Sequence, residues 1–291
     1  MKIKVLRLVL LFFAFSQFSI TLKAQEISCP PIWGIAKMTF LVSDFEVARN
    51  YYGRFLGFAE AFSYPSPLGK TISFKVNDRQ FLEFIEDADA KVKTRLVSVS
   101  FETEDVEQMR KYLHSKGVEV PSAVKIDGAG NGVILVKDNA GVPLEFIRFT
   151  PRSVHVKSKG KALSADRISK RIHHVGLYSK EVVDDNPFYA AILGCKEIWR
   201  YPELRQEKVQ MNYLQFPDCV ENIEHYPTTD INFNHPCFVV DDMQETIYTL
   251  KERKVDEKIG KPIVGKGKRW LLNMVNSDGT KVEFTEIHCV R

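Results

Sequence analysis

IHHVGLYSKEVVDDNPFYAAILGC, residues 172–195, begins as a strand and ends as a helix stop. Apolar and polar residues alternate through Arg171–Ser179, the pattern of an extended segment half buried on a sheet. Asn186-Pro187 then supplies a helix start, because proline fits the first helical turn, and Gly194 supplies the stop. The same order of signals stands earlier in the chain. Ile35–Val42 alternates, Asp44 caps a helix running through Phe55, and Gly57 ends it in NYYGRFLGF, residues 50–58.

Outward from these two stretches the chain continues to repeat itself. TISFKVNDRQFLEFIE (71–86) and MNYLQFPDCVENIEHY (211–226) each read as two strands around a polar turn. LVSVSFETEDVEQMRKYL (96–113) matches FNHPCFVVDDMQETIYTL (233–250), a strand leading through acids into a helix. ILVKDNAGVPLEFIRF (134–149) matches LLNMVNSDGTKVEFTE (271–286), hairpins turning at Asn139–Gly141 and Asp278-Gly279. The chain therefore reads as four units of strand, helix and two or three strands. They pair into domains at 33–150 and 171–288. Residues 151–170, PRSVHVKSKGKALSADRISK, are rich in Lys, Arg and Ser and read as a solvated basic linker.

Composition excludes several classes. With 291 residues and 44% apolar content, the chain can bury one large core or two ordinary ones, which excludes a disordered polar chain or a disulfide-stapled miniprotein. The net charge of +4 comes from Lys2, Lys4, Arg7 and Lys23, since residues 1–24 hold no acid, and the remainder is formally neutral. A basic footprint for nucleic acid is absent. The charged front, the apolar stretch densest at Leu8–Phe15 and the small Ala24 before Gln25 predict a signal peptide over 1–24. The expected mature chain, 25–291, is exported, periplasmic or secreted, with no membrane association after cleavage. Five cysteines, an odd number with no framework spacing and no CxxC, give no thiolate zinc site. A bridge between Cys29 and Cys289, near opposite ends, is one open pairing, and Cys195 and Cys237 read as small core residues.

The paired signatures NYYGRFLGF and HHVGLY…PFYAAILGC make the chain resemble the vicinal oxygen chelate superfamily, which includes glyoxalase I, bleomycin-resistance proteins and extradiol dioxygenases. The resemblance covers about 33–288. It implies an α+β fold of two tandem domains, each of paired βαβββ modules forming a curved, partly open sheet around a cavity. It also implies one divalent metal ion, held by residues from the first and last strand of each module. The repeat places those positions at His174, Glu224, His235 and Glu283 in the second domain, and at Lys37, Glu83, Ser98 and Glu145 in the first.

The two sets differ in chemistry. Two imidazoles and two carboxylates suit Fe2+, Zn2+, Mn2+ or Ni2+. Lys37 carries a fixed positive charge and Ser98 is a poor ligand, so the first domain reads as metal-free. In IHHVGL, alternation sends His173 and His174 to opposite faces, and the repeat selects His174. In NIEHY a one-residue slip would present His225 instead of Glu224. Pro236 directly after His235 requires that the strand begin there or lie at an edge.

The function implied is an exported glyoxalase-like lyase or isomerase acting on a small oxygen-chelating molecule, with Glu224 or Glu283 moving a proton. An iron(II) extradiol-type dioxygenase is the alternative, because an inert first domain and an active second one match that branch. Glu221 and Asn222, however, occupy the neighbourhood where that branch carries a further histidine. A non-catalytic small-molecule-binding protein is the third reading. Trp199 and Arg200 in EIWRYPE are expected at the substrate, Arg200 through a bidentate contact to an anion. Trp270, Tyr213 and Tyr226 read as core or rim aromatics. The partner is a small molecule, and the chain is a monomer or homodimer.

Overall fold

A computed structural model describes residues 27–87, 95–230 and 232–290, so the expected signal segment 1–24 lies outside the described residues. The first module runs β1 (Ile32–Val42), α1 (Phe45–Ala48), a π-helical continuation (Arg49–Phe55), β2 (Ala59–Ser66), β3 (Gly69–Lys75) and β4 (Phe81–Glu86). The second runs β5 (Leu96–Thr103), α2 (Val106–Ser115), β6 (Lys125–Ile126), β7 (Gly132–Lys137) and β8 (Pro143–Arg148). A short helix, α3 (Val154–Lys157), leads to the third module, β9 (Ile172–Ser179), β10 (Lys196–Tyr201), β11 (Met211–Gln215) and β12 (Asn222–Pro227). The fourth is β13 (His235–Val240), α4 (Met243–Glu252), β14 (Ile263–Val264), β15 (Arg269–Val275) and β16 (Lys281–Cys289).

These strands form two eight-stranded sheets, ordered β2-β3-β4-β1-β5-β8-β7-β6 and β10-β11-β12-β9-β13-β16-β15-β14. The fold class is the expected one: α+β, two tandem domains, each a curled half-barrel built from two modules. The modules join where their first strands pair antiparallel, and that pairing fixes the repeat register. Thr39 faces Ser98 in the first domain as Gly176 faces His235 in the second. Ser100 pairs with Glu145 as Cys237 pairs with Glu283.

Alternation along each strand separates two environments. Val175, Leu177, Ile223, Phe238 and Phe284 point to the core with Met243, Ile247 and Leu250 of α4. The alternate residues point into the cavity. Helix α4 forms because its buried residues recur at helical spacing, and the Asp242 carboxylate accepts from the Glu245 amide at its start. Helix α2 repeats this with Asp105 and the Gln108 amide.

One expected helix is missing. After Asn186-Pro187 the chain makes turns, in which the Asn186 carboxamide oxygen accepts from the amides of Phe188 and Tyr189. Asn186 therefore still caps the start, but the Leu193 amide bonds back to Phe188 and that of Cys195 to Tyr189, and the segment does not propagate as an α-helix.

The two domains share one hydrophobic core. The Tyr52 hydroxyl meets Thr280 at 3.1 Å and the Tyr189 hydroxyl donates to Asp138 at 2.9 Å, each reaching into the other domain. Gln80 bonds the backbone of Ile172 in both directions. Half of the residues in the connecting segment 151–170 are exposed, while Ser153, His155, Ser158 and Ser169 are buried. Gly57 (φ +78) lies so close to the Asp166 carbonyl that a Cβ would collide with it, so glycine is required here by both conformation and packing. All five cysteines are free thiols. Cys29 lies beside the turns at Gly194 and Pro217, whereas Cys289 borders the second-domain cavity, so the open Cys29–Cys289 pairing does not form. Among the described residues, no helix is long and apolar enough to cross a membrane.

Candidate metal centre

The central strands of the second sheet bring His174 from β9, Glu224 from β12, His235 from β13 and Glu283 from β16 to one point. One ligand atom from each lies within 4.8 Å of all the others, and all four residues are buried. His174 Nε2 is 3.5 Å from Glu224 Oε2 and 3.6 Å from Glu283 Oε1. His235 Nε2 is 3.6 Å from Glu224 Oε2 and 3.8 Å from Glu283 Oε2. Atoms each roughly 2.1 Å from a shared ion would sit about 3–4 Å apart, which is the separation seen.

The electrostatics of the four groups fit a cation. Nε2 of His174, Nε2 of His235 and Oε2 of Glu224 are buried without a hydrogen-bond partner. Such atoms are costly to leave unpaired. His235 Nδ1 donates to the Phe233 carbonyl at 2.6 Å, which leaves Nε2 as the free lone pair facing the cluster. Burial also pushes His235 down to about 3, so its ring is in the neutral, ligating form. Burial and the neighbouring Glu224 charge push Glu283 up to about 7. Burial opposes ionisation of Glu224 too, but His174 and His235 outweigh it and hold Glu224 at about 2. The pair thus has one firmly ionised carboxylate and one whose charge is resisted, a conflict that a divalent ion relieves.

Neighbouring residues orient the four. The Cys237 thiol lies 3.4 Å from Glu283 Oε1, and the Tyr213 hydroxyl lies 3.4 Å from Glu224 Oε1. Gly176 stands across from His235, and a Cβ there would overlap the imidazole ring. The sheet pairing settles the question of register at β12: Glu224 faces inward and His225 packs in the core against Tyr189. Pro236 is accommodated because β13 begins at His235, although it lies inside the sheet.

His173 departs from strict alternation. A register shift opposite Cys237 and Phe238 bulges β9 at this residue. Its ring therefore turns to the same side, with Nδ1 3.0 Å from Nδ1 of His174, and borders the cavity. A bulge of this kind is not legible from alternation alone. Tyr213, read from the sequence as core or rim, lies directly on the site.

A cavity of about 380 Å³ reaches the cluster at His174 and is walled by His173, Trp199, Tyr213, Asn222 and Arg269. Trp199 is placed at it as expected. Arg200 is not. Its guanidinium is buried away from the cavity, 2.6 Å from Asp184 and 3.6 Å from Glu197, and it donates to the carbonyls of Pro202 and Glu207. Strand alternation on β10 explains this, since Arg200 follows Trp199 directly.

In the first domain three of the four positions, Lys37, Glu83 and Glu145, converge without a vacancy. Lys37 Nζ is 2.8 Å from Glu83 and 3.2 Å from Glu145. The Tyr64 hydroxyl donates to Glu83 at 2.6 Å, and Ser100 donates to Glu145 at 2.7 Å. His155 of α3, unforeseen because it lies in the basic segment, places Nε2 3.0 Å from Glu83.

Residues 34–146 match the glyoxalase/bleomycin resistance protein/dioxygenase superfamily. No curated protein sequence matches the chain. Among solved structures, homoprotocatechuate 2,3-dioxygenase from Arthrobacter globiformis superposes with a TM-score of 0.66 at 15% identity, covering 89% of this chain and 81% of that one. A Mn(II)-bound glyoxalase from Novosphingobium aromaticivorans gives 0.66 at 18% identity, covering 88% and 83%. At these identities the likeness is one of fold. Residues 34–146 thus carry the match to the glyoxalase/bleomycin resistance protein/dioxygenase superfamily, and the second domain repeats the fold of the first around a buried His₂Glu₂ cluster.

Proposed function

We propose that the second domain binds one divalent ion through His174, Glu224, His235 and Glu283, and that the protein is an exported glyoxalase-like lyase or isomerase acting on a small oxygen-chelating substrate. The observation that carries this reading is the convergence of three buried, unpartnered polar atoms, on His174, Glu224 and His235, beside Glu283. An ion held there supplies Lewis acidity to substrate oxygens.

The chain's own residues account for the proton. In the ion-free site Glu224 is ionised while Glu283 is pushed up to about 7, so Glu283 is the carboxyl that takes up a proton more readily when it leaves an ion. A base and an acid on one small site suit removal of a proton beside a carbonyl and its return to a neighbouring atom. Trp199 and Tyr213 exclude water from one wall, and the Tyr213 hydroxyl steadies Glu224. Four protein groups at the centre favour this chemistry over a site of two histidines and one carboxylate.

The second reading, an iron(II) extradiol-type dioxygenase, is favoured by the domain plan, with a filled first cavity and an open second one. Asn222 stands where that branch has a further histidine, and it cannot transfer protons as an imidazole does. The test is anaerobic reconstitution with Mn2+, Ni2+, Zn2+ or Fe2+, followed by two assays. Solvent hydrogen exchange into α-ketoaldehyde adducts and epimerisable acids, lost in Glu283→Gln, supports the lyase or isomerase. Oxygen uptake on catechols with iron alone replaces it with the dioxygenase. Export is tested by the N-terminal residue of the mature protein, expected near Gln25.

A further inference from the structure

The first domain contains an internal occupant of its own cavity. Helix α3 delivers the His155 ring between Glu83, 3.0 Å from Nε2, and Asn131, whose Nδ2 lies 3.1 Å from Nδ1. The ring also packs edge-on to Phe62 and Phe81, with centroids 4.8 and 4.7 Å away. The repeat register assigns each contact a counterpart. Phe62, Ser73 and Glu83 pair across β2–β4 as Trp199, Tyr213 and Glu224 pair across β10–β12. Phe81 stands beside Lys37 as Asn222 stands beside His174. Val133 pairs with Ile147 as Leu271 pairs with Thr285, so Asn131 corresponds to Arg269 by residue count, with a register shift against β16 between Arg269 and Leu271.

In the second domain Trp199, Asn222 and Arg269 border the open cavity. A molecule seated there as His155 is seated in the first domain spans from the His₂Glu₂ cluster to Arg269. The hairpin tip holds this arginine in place: the Lys268 amide donates to Gly265 and the Gly265 amide to the Arg269 carbonyl, both at 2.9 Å. The guanidinium is half-buried and, among the described residues, makes no hydrogen bond or ion pair. Removing a charge partly from water without a partner is unfavourable, so the site is incomplete. Lys266 and Lys268 line the same wall, and Glu203 is the one acid there.

Resting on the metal reading above, we propose that Arg269 binds the carboxylate of the substrate at the end remote from its chelating oxygens. The substrate is then a small carboxylic acid, of single-ring or short-chain size in this cavity, with its body against Trp199. Arginine suits this task because its planar fork meets a carboxylate in two parallel hydrogen bonds.

The test is equilibrium binding of 3,4-dihydroxybenzoate and its neutral isostere 3,4-dihydroxybenzamide to the Mn2+-loaded protein under nitrogen. The benzoate is expected to bind at least tenfold more tightly. In Arg269→Gln that preference falls to about one, with metal content unchanged, and Arg269→Lys restores part of it. Equal affinities in the parent protein, no binding of either probe at millimolar concentration, or a preference that survives Arg269→Gln overturns the proposal. Repeating the titration without metal separates the two claims. If the Arg269-dependent preference persists but manganese tightens neither probe, the carboxylate site stands and the metal reading fails.

Discussion

The two cavities begin from the same backbone register and resolve the same electrostatic problem in opposite ways. Each sheet sets two glutamates side by side, buried Glu83 with half-buried Glu145 in the first and Glu224 with Glu283, both buried, in the second. In the first domain the compensating cation is covalent, the Lys37 ammonium between both carboxylates, and the space above it is filled by His155. In the second domain the strands supply imidazoles instead, Lys281 acts on the two acids without a salt bridge to either among the described residues, and an aromatic-walled cavity reaches the cluster at His174. Two changes, Lys37 in one copy against His174 in the other and Ser98 against His235, separate an internally neutralised core from a centre that calls for an external cation. The first domain then serves as a scaffold, and its filled cavity shows where an occupant of the second would sit.

Breaking the internal cation should give the largest effect on stability. Lys37→Met removes the cation between buried Glu83 and half-buried Glu145 and is expected to cost about 3–5 kcal/mol, measured by urea unfolding, with metal content unchanged. A loss of metal in this variant would mean that the domains are not separable in this way.

Acid sharpens the contrast. The charge of Lys37 and the contact with His155 hold Glu83 well below its ordinary 4.5 despite burial, and Lys37 itself is raised above 10.5. A lowered carboxylate contributes stability above about pH 4.5 that is lost as pH falls, and a raised lysine contributes stability lost only as pH rises through its folded value. The first site is therefore insensitive between these limits. In chelator-treated protein, burial holds His173, His225 and His235 at about 3, 4 and 3, below their ordinary 6.5. The unfolded chain takes up those protons first, so stability is lost as pH falls below 6.5. Glu283, raised from 4.5, opposes one of the three. Domain-resolved hydrogen exchange should show the second domain loosening near pH 6 and the first only below about pH 4.5. Simultaneous loosening contradicts this.

A smaller effect tests how closely the second site is built. Gly176→Ala places a methyl group against the His235 ring and is expected to lower metal affinity about tenfold, or ~1.4 kcal/mol, with the fold retained. The counterpart of Gly176 is Thr39, whose neighbour Ser98 is small, so Thr39→Ala should leave metal affinity unaltered. Smallest is Arg200→Ala, expected to cost about 1 kcal/mol through its lost ion pair and carbonyl contacts without changing ligand binding.

Much of this was legible in the sequence because it rests on period and repetition. Alternation gave the strands, the acids after the second and fourth modules' first strands led into helices, and the near-constant offset between copies brought His174, Glu224, His235 and Glu283 to one point. What escaped depends on local geometry or distant contacts. The bulge that turns His173 into the cavity breaks the two-residue period. The turns at 186–195 replace a helix that carries valid start and stop residues. Arg200 and Trp199 are neighbours on a strand, so only one can face the site. His155 lies in a segment whose composition reads as solvated, and only tertiary packing against Phe62, Phe81 and Glu83 makes it core.

The most direct test is elemental analysis of the anaerobically purified mature chain alongside a His174→Ala/His235→Ala variant and a Lys37→Ala/Ser98→Ala variant. The account predicts about one equivalent of a divalent first-row metal in the parent, retention in the Lys37/Ser98 variant, and loss in the His174/His235 variant. Metal that survives removal of both histidines, or that disappears with Lys37 and Ser98, would contradict it.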